Sequence, residues 1–110
     1  MRYQITNNTP NENLTDVAET LVAAEQRRLD ALLEHFPQDE VLLRVVLDEG
    51  ALPQAVRVSL RLSLPGHLLT AQEEGSSLRS VLDEAFDELR RQVVAYKERL
   101  RHEDEYKRKR

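Results

Sequence analysis

The chain contains no cysteine, which excludes disulfides and thiol chemistry and fits a reducing compartment. Glycine occurs only at positions 50, 66 and 75, too sparsely for a glycine-rich phosphate loop. No apolar run approaches the roughly 18 residues that a membrane helix needs. The opening MRYQITNN lacks the basic start and apolar stretch of a secretory signal, so the expected location is the cytoplasm, away from membranes. His35, His67 and His102 fall in three separate segments. No HxxxH or HExxH spacing exists, so no zinc site is expected. Ser59 and Ser63 have no histidine beside them in sequence. The acidic pairs Asp83/Glu84 and Asp87/Glu88 fall on an exposed helix face by periodicity, where solvation is the simplest reading. The chain therefore reads as a non-enzyme without a cofactor.

What is present is charge, unevenly placed. The 110 residues, enough for one domain, carry a net charge of −4. Residues 1–89 sum to −9 and residues 90–110 to +5. A basic end on an acidic body is the asymmetry that suggests contact with a polyanion. The competing reading is a solvated helix end followed by a loose basic tail, Lys107 to Arg110. The expected division is one α+β domain over residues 1–101 and a charged tail over 102–110.

Periodicity sets the expected order of elements. Met1, Tyr3 and Ile5 alternate with polar residues, as in a short strand. An Asn/Thr/Pro-rich turn follows. Leu14, Ala18, Leu21, Val22, Leu29, Leu32, Leu33 and Phe36 then repeat at helical spacing. Asn13 or Thr15 is the expected cap, and Pro37 the expected stop. Glu25 lies on the apolar side of this helix and is expected to pair with Arg28, three residues on. Residues 41–48 are apolar on both faces, which suits a central strand. The stretch VRVSLRLSLPG, residues 56–66, sets valine or leucine at every even position through Leu64. It is a strand with one buried face. A fourth strand is expected over 68–73, and a long helix from about Leu78 to Arg101 or beyond. The order β-α-β-β-β-α predicts a two-layer α+β sandwich, with both helices on one face of a four-stranded sheet and the first two strands parallel.

The second helix carries a cationic flank. With Leu89 at zero, Arg79 and Lys97 fall near 80°, Arg90 near 100° and Arg101 near 120°, at about 100° per residue. Only Asp83 intrudes. Stems of Arg and Lys pack along an apolar edge while their heads reach out, so this flank could track successive phosphates. The simpler reading is a run of ordinary surface pairs with Glu84, Glu88 and Glu98.

The stretch DEAFDELRRQVVAYKERL, Asp83 to Leu100, resembles the final helix of the ribosome hibernation promoting factor family, also called ribosome-associated inhibitors. The matching features are Asp87, Leu89, Arg91-Gln92-Val93 and Tyr96-Lys97. ITNNTPNENLTDVAETL resembles the family's opening. LPGHLLTAQEEGSSLRSVLDEAFDEL resembles its fourth-strand hairpin and the break before the helix. The resemblance spans nearly the whole chain and is to the short form, without the dimerising C-terminal domain. It implies a protein that binds the small ribosomal subunit between head and body, where messenger and transfer RNA sit. Such proteins block translation and preserve idle ribosomes under stress, through Lys/Arg contacts to ribosomal RNA phosphates. By position, the implied contacts are Arg79, Arg90, Arg91, Lys97 and Arg101, with Arg27 and Arg28 on the first helix. The chain departs from the family in that first helix, which is usually strongly basic. Here Asp16, Glu19, Glu25, Asp30 and Glu34 face only Arg27 and Arg28. Glu88, Val94 and Ala95 also stand where the family often has basic residues.

The competing expectation keeps the fold and changes the job. A protein-interaction module would use its acidic first helix, or a homodimer through the uncovered sheet face where Leu42 and Val46 lie beside Arg57, Ser59, Arg61 and Ser63. Water is the simplest occupant of that face, and RNA contact is expected on the helix side instead.

Overall fold

The strict alternation of residues 56–64 becomes a strand with one dry face. In the computed structural model, which describes residues 1–108 and side chains through Glu103, this strand is β3 (Val56–Leu64). Val56, Val58, Leu60, Leu62 and Leu64 are buried. The other strands are β1 (Arg2–Asn7), β2 (Leu42–Glu49) and β4 (His67–Gly75), and the sheet order is β1-β2-β3-β4. β1 and β2 are parallel, and the two remaining pairs are antiparallel. A parallel pair needs a long crossover, which α1 (Asn13–Leu32) supplies. The last element is α2 (Leu78–Arg108).

This is the expected α+β sandwich. β2 is central, and its composition shows why. Leu43, Val45 and Leu47 are buried under the helices, while Leu42 and Val46 are half-buried on the opposite face. α1 lies over β1, α2 lies over β3 and β4, and the helices pack against each other. Phe86 is the largest fully buried side chain, surrounded by a core that includes Leu29, Leu43, Leu60, Leu82 and Leu89. At about 1.5 Å per residue, the 31 residues of α2 span about 46 Å. That length sets the long dimension of the molecule, 57 Å. The helix continues past Arg101 through Arg108. Lys109 and Arg110, the end of the expected loose tail, lie outside the described residues.

Both ends of α1 differ from expectation. Neither Asn13 nor Thr15 caps its start. Glu12 occupies the cap position without a side-chain bond, because the turn before it is organised by Asn7 instead. The Asn7 amide donates to Asn11 O at 2.9 Å and to Thr15 Oγ1 at 3.1 Å. Its carbonyl oxygen accepts from Thr9 N at 2.9 Å and Thr9 Oγ1 at 2.6 Å. At the other end the helix stops at Leu32, before Pro37 can act. Leu33 leaves helical geometry (φ −108°, ψ 10°), and its N–H is shared between Leu29 O and Asp30 O. Gln38 then binds the freed carbonyls of Leu33 and Phe36, each at 3.0 Å.

One glycine is required by geometry. The Pro65-Gly66 turn joins Leu64 to His67 with Gly66 at φ 71°, a conformation that costs glycine little.

Because the Phe86 ring has no exposed surface, Phe86→Ala is expected to lower unfolding free energy by about 3–5 kcal/mol. Urea unfolding followed by circular dichroism measures it. A loss below 1 kcal/mol would mean that the core closes over the gap.

Candidate nucleic-acid interface

Two contacts fix how the helices meet. Arg90 Nη1 donates to Glu25 Oε2 at 2.5 Å, and Lys97 Nζ donates to the Leu32 carbonyl at 2.8 Å. Each joins residues 65 apart. A constant offset means that the helices run in the same direction and stay in step over two turns.

Arg90 is the centre of this junction. Its second arm donates to Asp87 Oδ1, one turn back on α2. Its side chain retains 19% exposure and that of Glu25 14%. Burial alone would lower the guanidinium's proton affinity. The hydrogen bonds and charges of Glu25 and Asp87 more than offset it, so its pKa lies above the ordinary arginine value. The expected Glu25–Arg28 pair is replaced by a Glu25–Arg90 pair. The reason is that Glu25 points towards α2 rather than along α1. Lys97 sits at the C-terminal end of α1, where a cation complements the last carbonyls and the helix dipole.

The remaining cations divide by neighbourhood. Arg91 is exposed, 3.8 Å from Glu88 and hydrogen-bonded to the Asp87 carbonyl at 3.4 Å. Arg79, Arg101, Arg27 and Arg28 are exposed. None of these four has an ion pair among the described residues. Arg79 and Arg101 each lie 11 positions from Arg90, about 17 Å along the axis in opposite directions. The flank read from the helical wheel is therefore interrupted. Its two ends are free, and its middle is engaged between the helices. By the same 65-residue offset, Arg27 and Arg28 lie level with Gln92 and Val93.

Arg99 was not singled out by sequence, yet it has a defined place. Its guanidinium lies 5.4 Å from the centre of the Tyr96 ring. Tyr96 stacks on His67 with ring centres 4.4 Å apart and faces Phe36 at 6.4 Å. The three-residue step from Tyr96 to Arg99 is the one available signal, since such positions are neighbours on a helix. Among the described residues, no cluster of three His, Asp or Glu side chains could hold a metal. No helix among them is long and apolar enough to cross a membrane. A cleft of about 690 Å³ opens between the β1–α1 turn and the β2–β3 hairpin, against residues such as Thr9, Leu14 and Leu52. No histidine, lysine or arginine lines it.

A family model described as sigma 54 modulation protein / S30EA ribosomal protein matches residues 7–101. The chain belongs to this family. Family members are ribosome-associated modulation factors, and they are not an enzyme family. The fold is similar to the crystal structure of the Thermus thermophilus Protein Y N-terminal domain, with a TM-score of 0.69 and 27% identity over 87% of this chain and 99% of that one. It is also similar to a ribosomal subunit interface protein from Coxiella burnetii, with a TM-score of 0.62 and 21% identity over 88% and 98% of the two chains. No curated protein sequence matches at a comparable level. The family match covers α1 and α2 as far as Arg101, and so includes each cation placed in this subsection.

The buried junction makes a specific demand on stability. Arg90→Met leaves the Glu25 carboxylate without its partner and is expected to cost about 1–3 kcal/mol. Pairing it with Glu25→Leu should recover most of that loss, because replacing both partners by apolar groups is close to neutral. Denaturant unfolding of the two single variants and the double variant completes the cycle. Additive losses would show that the two side chains do not interact.

Proposed function

We propose that this protein binds the small ribosomal subunit in the cytoplasm, in the channel used by messenger and transfer RNA, and blocks translation by occupying it. Residues 1–101 form the binding domain, and the charged segment 102–110 follows it. The observation that carries this reading is four exposed helix arginines without carboxylate partners among the described residues, Arg79 and Arg101 at the two ends of the α2 flank and Arg27 and Arg28 on α1. They lie within a chain whose family is ribosome-associated. Exposed guanidiniums are suited to phosphate, which they bind in a bidentate manner. Lys97 keeps donors beyond its bond to Leu32 and lies between these ends. Arg91 supplies a weaker contact, since it sits beside Glu88. Arg90 acts indirectly by holding α1 against α2.

The acidity of α1 is smaller outside than its sequence suggests. Glu25 is engaged by Arg90, and Asp30 lies 3.6 Å from the N-terminal ammonium. Glu34 falls beyond the helix, 3.6 Å from His35. Asp16 and Glu19 remain as exposed carboxylates on the first two turns, away from Arg27 and Arg28. This distribution favours the RNA-binding reading over an acidic protein-docking helix.

Co-sedimentation with purified small ribosomal subunits across a salt series tests the proposal. The protein is expected to pellet at low ionic strength and to be released as salt rises. In Arg79→Gln/Arg101→Gln, the slope of log affinity against log salt should fall by about 0.7–0.9 for each arginine removed. A protein that stays in the supernatant at the lowest salt is not a ribosome binder.

A further inference from the structure

We propose that the uncovered face of the sheet is a second contact for an RNA sugar-phosphate backbone, centred on Arg44 and Arg61. This deepens the preceding reading and rests on it. The two residues are directly opposite partners in the β2–β3 ladder. Both are exposed, and neither has an ion pair among the described residues. Like charges directly opposed across an antiparallel pair destabilise it. The rung continues into Gln4 on β1 and Thr70 on β4, and neither is acidic. Along the strands the same-face neighbours are Leu42, Val46, Ser59 and Ser63, again without a carboxylate.

The carboxylates of this face stand two rungs away, and they are engaged there. Glu74 holds Arg57 at 3.1 Å, and Asp48 accepts from the Asn8 amide at 3.0 Å. That row sets two carboxylates against one guanidinium, while the Arg44–Arg61 row holds two guanidiniums and no carboxylate, on a chain whose net charge is −4. An anion placed between the two guanidiniums turns their repulsion into a clamp.

The chemistry around the pair selects the kind of anion. Arginine forks match phosphate oxygens in bidentate geometry. Side chains about 5 Å apart at their Cβ atoms can close on one phosphate or on two successive ones. Gln4, Ser63 and Thr70 add neutral donors of the sort that hold a backbone without reading bases. No aromatic side chain lies on this face, so it offers no base-stacking surface. A second copy of the chain fits less well. It would bring its own Arg44 and Arg61 into the same layer and double the uncompensated charge.

The test is the same pelleting series with Arg44→Gln/Arg61→Gln, beside thermal unfolding and molar mass. If the face contacts RNA, the salt slope falls by about 1.4–1.8 relative to wild type, two phosphate contacts' worth. Arg44→Lys/Arg61→Lys retains the wild-type slope. The glutamine variant unfolds at or above the wild-type temperature, because a repulsion has been removed. Three results overturn the proposal. The first is an unchanged slope in the glutamine variant while wild type still binds. The second is a lowered unfolding temperature, which would show that the pair supports the empty sheet. The third is a wild-type dimer that Leu42→Glu converts to monomer, which would assign the face to a second copy. A wild-type protein that never pellets instead overturns the function proposed above, and this contact with it.

Discussion

The relative position of the free charges on the two helices depends on one junction, the guanidinium of Arg90 held between Glu25 of α1 and Asp87 of α2. Apolar packing brings the helices together, but packing alone tolerates sliding. A charge-assisted pair with little exposure does not, because a shift of one turn would leave a carboxylate without its partner at a cost of about 1–3 kcal/mol. The bond from Lys97 to the last carbonyl of α1 repeats the same 65-residue offset one turn pair later. Together they set the level at which Arg27 and Arg28 sit beside α2. The arginines available to a partner are therefore arranged by one that is not.

That arrangement explains how a chain of net negative charge can still present cations. Carboxylates of α1, α2 and β4 are drawn to neighbouring cations at Arg90, the N-terminus and Arg57, which leaves local surfaces more positive than the composition implies. The compensation is short-range. Exposed pairs such as Arg57–Glu74 and Arg91–Glu88 each contribute little to stability, so their main effect is on which surface remains uncompensated. The mean charge of a chain says little about a binding face when the internal pairs are not distributed evenly.

How much of this could be read in advance follows the range of the interactions involved. The alternation of β3, the two-sided apolar character of β2 and the stripe of α2 are local periodicities, and each produced the element that the structure contains. The family resemblance came from the same local runs, and the match over residues 7–101 bears it out. What sequence could not supply was partnership across distance. A helical wheel gives Glu25 and Arg90 an angle but no neighbour, and the near choice, Arg28, was wrong. The end of α1 was misplaced for a related reason. Pro37 is a visible stop, whereas the loosening at Leu33 is stabilised by Gln38 and Lys97, which arrive from later in the chain. The cap at Thr15 does not form because Asn7, eight residues earlier, donates to its hydroxyl oxygen. The contrast between Arg57 and Arg61 was equally hidden. Both occupy the outer face of β3, and only the register with β4 shows that one meets Glu74 and the other Thr70.

An acidic protein with a few unpaired arginines differs physically from a basic one. At distances beyond the Debye length, about 8 Å at physiological salt, its field does not draw it to RNA in general. Within that distance the local cations act, provided that the partner's shape brings phosphates to several of them at once. On the reading proposed here the free contacts are few and separated, with Arg79 and Arg101 about 33 Å apart along α2 and Arg44 and Arg61 on the opposite side of the sheet. No single duplex groove meets such a set on both faces. An enclosing RNA surface does, and each contact made there adds to a salt-dependent affinity that stray RNA cannot reach. Net negative charge then favours selectivity for the enclosed site over indiscriminate binding. The cost is weaker total affinity and easy release as ionic strength rises.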